Sequence, residues 1–156
     1  MTEENQTLKI SKIRDGIVID HIPAGRSIRL LSILNVGEHS GHTISLAMRV
    51  KSNKKDYKDV VKIENRNIAE EELSLISLIA PDATISFIEN YNIKEKRKVK
   101  VPETISGILR CPNQNCISNA KEPVETIFHI VSEDPLEARC EYCERIFKGS
   151  DLIGKI

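Results

Sequence analysis

Apolar and polar positions alternate in short runs along the first hundred residues, and twice the spacing lengthens to that of a helix. LKISKI at 8–13 alternates as a half-buried strand does. GIVIDHIPAG follows as an apolar strand punctuated by Gly16 and by Pro23–Gly25. GRSIRLLSILN at 25–35 sets Ile28, Leu31 and Leu34 at helical spacing and stops at Val36–Gly37. HTISLAMRV (42–50) and DVVKIEN (59–65) read as strands joined by the polar, lysine-rich KSNKKDYK. NIAEEELSLISLIAPDA predicts a helix with Asn67 as its cap, acidic residues in its first turn and Pro81 at its end. TISFIENYNI (84–93) predicts a closing strand. Strand, helix, strand, strand, helix, strand is the order of a ferredoxin-like βαββαβ sandwich, an α+β fold with one sheet and its helices on one face. That fold hosts unrelated functions and leaves the role open.

A break falls near KVKVPE, where Pro102 follows a charged stretch, and it separates expected domains 1–100 and 101–156. The second domain has few large apolar side chains, and chains of about 55 residues bury little surface and rely on a metal or disulfides. All four cysteines lie in it, as Cys111-x4-Cys116 and, after 23 intervening residues, Cys140-x2-Cys143. Two knuckles offering a thiolate pair each suit the tetrahedral sulfur ligation of Zn²⁺. A small all-β zinc-binding domain with one structural ion is expected. Four thiolates leave no open position on the ion, so no zinc chemistry is expected. A redox pair at Cys140–Cys143 would leave Cys111 and Cys116 unexplained. His129, the spare ligand by residue type, lies in TIFHIV and reads as a strand histidine.

Composition narrows the partners. The chain is 40% hydrophobic and 29% charged, which reads as folded rather than disordered. No apolar run approaches a membrane span, and the acidic start MTEENQTLKI is the reverse of a secretory signal. The expected compartment is the cytoplasm, where paired cysteines hold metals more often than they form disulfides. Residues 1–100 carry 17 Lys and Arg against 14 Asp and Glu, whereas residues 101–156 carry 6 against 9. An acidic knuckle domain, made more so by four thiolates, argues against a nucleic-acid-binding zinc ribbon, which needs a basic face. Only Phe128, Tyr142 and Phe147 could stack on bases there. The basic run NIKEKRKVK at 92–100 reads as solvated surface. No Ser/His/Asp set, carboxylate dyad or glycine-rich phosphate loop supports an enzyme. Asp20 and His21 are strand neighbours, which point to opposite faces.

GIVIDHIPAG, KIEN, LIAPDATI, IENYNI and CPNQNCISNAKEPV…CEYC together resemble, in the same order from about Leu8 to Phe147, the regulatory chain of aspartate carbamoyltransferase. The Cys-Pro-Asn-x-Asn-Cys-Ile-Ser knuckle paired with Cys-x-Tyr-Cys is the most specific part. The resemblance implies a noncatalytic chain of pyrimidine biosynthesis. It has a nucleotide-binding N-terminal domain and a zinc domain that docks on trimers of catalytic chains. It also implies a regulatory-chain homodimer, and no nucleic-acid or membrane partner. CTP as inhibitor and ATP as activator, with UTP assisting in some members, are the implied ligands. By position, the implied nucleotide contacts are Ile10, Ser11, Lys12, Ile13, Val18, Asp20, His21, Lys62, Ser86, Ile88, Tyr91, Ile93 and Lys96. The implied zinc ligands are Cys111, Cys116, Cys140 and Cys143. Chemistry sorts the first set: Lys96, with His21 and Lys98 near it, suits phosphates, Asp20 accepts from ribose hydroxyls, and Lys62 donates to ribose or base oxygen. Ser86 and Lys12 depart from residues common in the family.

Overall fold

A computed structural model describes residues 12–37, 40–53, 57–121 and 124–153. The chain divides into two compact units, Met1–Val99 and Lys100–Ile156. In the first, strands β1 (Gly16–Pro23), β2 (Ile44–Lys51), β3 (Tyr57–Glu64), β4 (Thr84–Glu89) and β5 (Asn92–Lys98) form one antiparallel sheet in the order β2-β3-β1-β4-β5. Helix α1 (Ser27–Ile33) links β1 to β2, and α2 (Glu70–Ile79) links β3 to β4. This is the expected βαββαβ sandwich with a fifth strand added at one edge.

The period-two pattern decides which face is covered. Ile17, Ile19, Val61 and Ile63 are fully buried, as are Leu30 and Ile76 of the helices. Each such side chain contributes roughly 2–3 kcal/mol by leaving water. The residues between them, Val18, Asp20, Val60 and Lys62, are half-buried on the opposite, open face. At Gly16 (φ 143) a Cβ would lie 2.2 Å from the Ile63 carbonyl, so only glycine lets β1 start this close to β3.

The helix ends are held in a way the sequence pattern does not suggest. Ala69, not Asn67, is the N-cap of α2, and Glu72 Oε1 accepts from its amide at 3.1 Å. Glu72 also pairs with Arg66, which donates to the Leu34 carbonyl at the end of α1 at 2.7 Å. Arg26, the N-cap of α1, donates to Ile79 at the end of α2 at 2.8 Å. An arginine beside the start of each helix thus satisfies a C-terminal carbonyl of the other.

Two strand expectations change. The stretch 84–93 is not one strand but a hairpin, turning at Asn90 (φ 54) and Tyr91 (φ 68), the left-handed pair of a type I′ turn. The basic run is therefore mostly strand β5, exposed throughout at the sheet edge. Of the expected strand 8–13, residues 8–11 lie outside the described residues, and Lys12–Ile13 precede β1.

The second unit is a four-stranded antiparallel sheet of β6 (Thr104–Ser106), β7 (Ile127–Glu133), β8 (Leu136–Cys140) and β9 (Ile146–Lys148), in chain order. A short helix α3 (Gly149–Ile153) follows, and Ile105, Leu109, Phe128, Ala138 and Leu152 form its apolar centre.

Candidate ligand face and metal centre

Paired residues on adjacent strands point to the same face. Register pairs Lys62 with Val18, Val18 with Ser86, and Ser86 with Lys96. Four of the singled-out residues thus form one row across β3, β1, β4 and β5 on the open face, and Ser45 of β2 extends it beyond Lys62. The next row toward the end of β1 joins Asp20, Thr84 and Lys98, and the row on the other side joins Gly16, Ile88 and Ile93. Lys12 is exposed and near enough to Lys62 to act on its charge, whereas Ile13 is a buried side chain, and the hairpin turn packs beside the segment that follows them. Tyr91 N donates to Arg14 O at 2.9 Å and Asn90 N to Asp15 Oδ1 at 3.2 Å. Tyr91 and Ile93 are each 60% exposed, large apolar side chains left in water beside the row. Ile10 and Ser11 lie outside the described residues.

The electrostatics of the face are unbalanced. Burial, and after it the charge of Lys12, push the Lys62 ammonium below the ordinary lysine range. Two cations, Lys12 and Lys62, thus lie close enough on this face to act on one another. His21 sits in a left-handed conformation (φ 61), and its Nδ1 is buried with no hydrogen-bond partner among the described residues. A buried polar atom left this way costs on the order of 1–3 kcal/mol, which a ligand group could recover. Asp20 is held by Lys58 at 3.0 Å and accepts from His21 N at 2.6 Å.

Lys58 and Asp59 were not singled out by the sequence reading. Asp59 carried a signal: it shares the inward parity of Val61 and Ile63, so a carboxylate was due on the covered face. It is fully buried and accepts from Gly25 N, Ser27 N, Ser27 Oγ and Arg49 N at 2.5–3.2 Å.

In the second unit, the sulfur atoms of Cys111, Cys116, Cys140 and Cys143 all lie within 4.8 Å of one another. Cys111 and Cys143 are 3.7 Å apart, as are Cys116 and Cys140. A disulfide would need about 2.05 Å, so these are free thiols around a common centre. Burial raises the Cys111 and Cys140 thiols, against amide donors from Asn113 to the first and from Cys143 and Tyr142 to the second. Burial opposes ionisation of Cys116 too, but the hydroxyl and amide of Ser118 help bring it down to about 7. Buried thiols with amide donors turned toward them are a donor set that a cation completes, releasing protons as it binds. Asn119 braces the first knuckle, donating to Cys111 O at 2.9 Å and Asn113 O at 2.7 Å. His129 lies in β7 and pairs with Glu141 rather than joining the sulfurs.

Comparison with known proteins follows the same division. A family model described as the aspartate carbamoyltransferase regulatory chain, allosteric domain, matches residues 8–100. A second, described as the metal binding domain of that chain, matches residues 103–153. The aspartate carbamoyltransferase regulatory chain of Thermoplasma acidophilum is 56% identical over 148 residues, covering 95% of this chain and 98% of the relative. Those of Pyrococcus abyssi and Saccharolobus islandicus are 47% and 46% identical, covering 96% and 99% of this chain and 98% of each relative.

Proposed function

The chain belongs to the aspartate carbamoyltransferase regulatory-chain family, and from that membership we propose that it senses CTP and ATP on the open face of its first unit, holds one zinc ion in its second, and docks through the second on catalytic chains. It is a noncatalytic subunit with an allosteric and a metal-binding domain.

The observation that carries the nucleotide reading is the row Lys62–Val18–Ser86–Lys96. Three strand spacings separate its ends by roughly 14 Å, a span an extended nucleoside triphosphate can bridge. Lys96, with His21 and Lys98, takes the phosphates. Asp20 accepts from ribose hydroxyls, and Lys62 donates to ribose or base oxygen. Lys12, Ile13, Val18, Ser86, Ile88, Tyr91 and Ile93 line the rest, joined by Ile10 and Ser11 from outside the described residues. UTP, where it acts, would share this face. The unpartnered Nδ1 of His21 supports a hydrogen-bonding occupant, and the placing of Lys62 and Lys96 in one row supports an anionic one.

A zinc ion fits the two sulfur separations of 3.7 Å. With Zn–S near 2.3 Å, a regular tetrahedron has edges of about 3.8 Å, close to the 3.7 Å separations. When bound, the ion supplies folding energy and no chemistry. The regulatory chains would pair as a homodimer through β2, whose edge exposes Leu46 and Met48, while β5 at the other edge is guarded by lysines. Catalytic trimers are the docking partner, and the compartment is the cytoplasm. No described helix is long and apolar enough to cross a membrane.

Effectors bias the catalytic chains only through their differential affinity for two states of the assembly, typically about 1–3 kcal/mol. Calorimetric titration of CTP and then ATP into the zinc-loaded chain tests the site. The expected outcome is competition for one site that weakens in Lys96→Ala. Single-stranded DNA binding without nucleotide binding would replace this reading with a nucleic-acid-binding zinc ribbon.

A further inference from the structure

Two β-bulges flank the same short piece of β3. On one side, Ile19 pairs with Val61 and Ile22 with Asp59, so Asp20 and His21 together oppose Val60. On the other side, Ala47 pairs with Val60 and Val50 with Lys58, so Met48 and Arg49 together oppose Asp59. Each bulge contains one non-glycine residue in the left-handed region, His21 (φ 61) and Arg49 (φ 55). Such residues persist only where their surroundings hold them.

The residues that hold both are adjacent. Lys58 Nζ binds Asp20 in the first bulge at 3.0 Å. Asp59 Oδ1 accepts from Arg49 N in the second bulge at 2.8 Å. Its other oxygen accepts from Gly25 N, Ser27 N and Ser27 Oγ, in the turn that leaves β1. A carboxylate is planar and rigid, and this one is fully buried. The partners of its two oxygens therefore cannot shift independently without leaving a buried donor unpaired.

We infer that Asp59 is a positioning residue that, together with Lys58 beside it on β3, ties the Asp20–His21 bulge to the Met48–Arg49 bulge, Lys58 holding Asp20 and Asp59 holding Arg49 N, so that a nucleotide held at the first fixes the conformation of the β2 edge. This rests on the reading of the open face as a nucleotide site. A ligand group on Asp20 or His21 sets the first bulge, β3 between Lys58 and Val60 passes the constraint across, and Arg49 with its flanking residues follows. Arg49 stacks over the Tyr57 ring with its guanidinium carbon 4.0 Å from the centroid, so a change there alters the exposed edge itself. The strand carrying Leu46 and Met48 is then a surface whose shape depends on the nucleotide.

Hydrogen exchange followed by mass spectrometry on the full, zinc-loaded chain, with and without saturating CTP, reads both bulges at once. The expected result is slower exchange at 18–21, by contact, and about tenfold slower exchange at 44–51, where no residue is a proposed contact. Asp59→Asn should keep the first protection and lose the second. Should Asp59→Asn fail to fold, Ser27→Ala, which frees one bond and keeps the carboxylate, should lower the 44–51 protection at least threefold. An unchanged ratio in either folded variant overturns the coupling. So does a wild-type chain that is protected at 18–21 but not at 44–51. Protection at neither place removes the nucleotide reading itself, and the coupling with it.

Discussion

Among the described residues, ten of the twelve largest fully buried side chains lie in the first unit, and only Phe128 and Leu152 in the second. The first unit has a sheet covered on one face by two helices, whereas the second has four strands, two of them only three residues long, and a short terminal helix. One makes its fold from apolar burial on one sheet face, and so can carry Lys62, Asp20, Ser86 and Lys96 on the other. The other has too little to bury, and places three buried cysteines and a half-buried fourth where a core would be. The family models divide at the same place, into an allosteric domain and a metal binding domain.

Removing the metal should break the comparison most sharply. Structural zinc supplies about 10–16 kcal/mol in small domains, more than the second unit can replace. We expect chelation to collapse amide protection in β7 and β8 while β1 and β3 keep theirs, read by hydrogen exchange. Retained protection in β7 would mean that Phe128 and its neighbours suffice alone.

Within the first unit the largest expected loss is at a polar residue. Asp59→Ala leaves three backbone amides and a hydroxyl without their acceptor. It should cost about 3 kcal/mol, seen as a lower denaturant midpoint. Loss of less than 1 kcal/mol would show that water replaces the carboxylate freely.

Lys96→Ala should weaken CTP by about fivefold, with less effect as salt rises, because one exposed cation is lost from the phosphates. Lys62→Met sharpens the distinction between fold and function. The native ammonium gives up its proton below the ordinary value of 10.5, through burial first and Lys12 second. The unfolded chain therefore binds more protons in the interval up to that value, and stability from this position rises with pH across it. We expect Lys62→Met to abolish that rise and slightly raise the unliganded melting temperature, while weakening CTP. Lower stability together with weaker binding would make Lys62 an ordinary structural residue. At the small end, Lys94→Ala should leave both melting temperature and CTP affinity unchanged, since its pair with Glu89 is fully in water.

The cysteine centre was legible because spacing alone brings two knuckles to one ion. The sandwich was legible because Ile17, Ile19, Val61 and Ile63 keep period two on strands that pair. β5 was not, because charged residues occupy five of the seven positions of an edge strand with no face to bury, and its turn is Asn-Tyr rather than a glycine pair. The bulges were invisible for a related reason: each adds a residue, so periodicity fails where Asp20–His21 and Met48–Arg49 sit. The open row is a product of register, which no single segment contains. The inward parity of Asp59 was there to be seen, but not its four partners from two separate stretches, Gly25–Ser27 and Arg49.

The most direct test is the aspartate saturation curve of purified catalytic trimers mixed with this chain, recorded with and without CTP and again after chelation. The account predicts that CTP shifts the half-saturating aspartate concentration only in the zinc-loaded assembly, and that Lys96→Ala needs more CTP for the same shift. An assembly that forms yet gives one curve with and without CTP and ATP would contradict it.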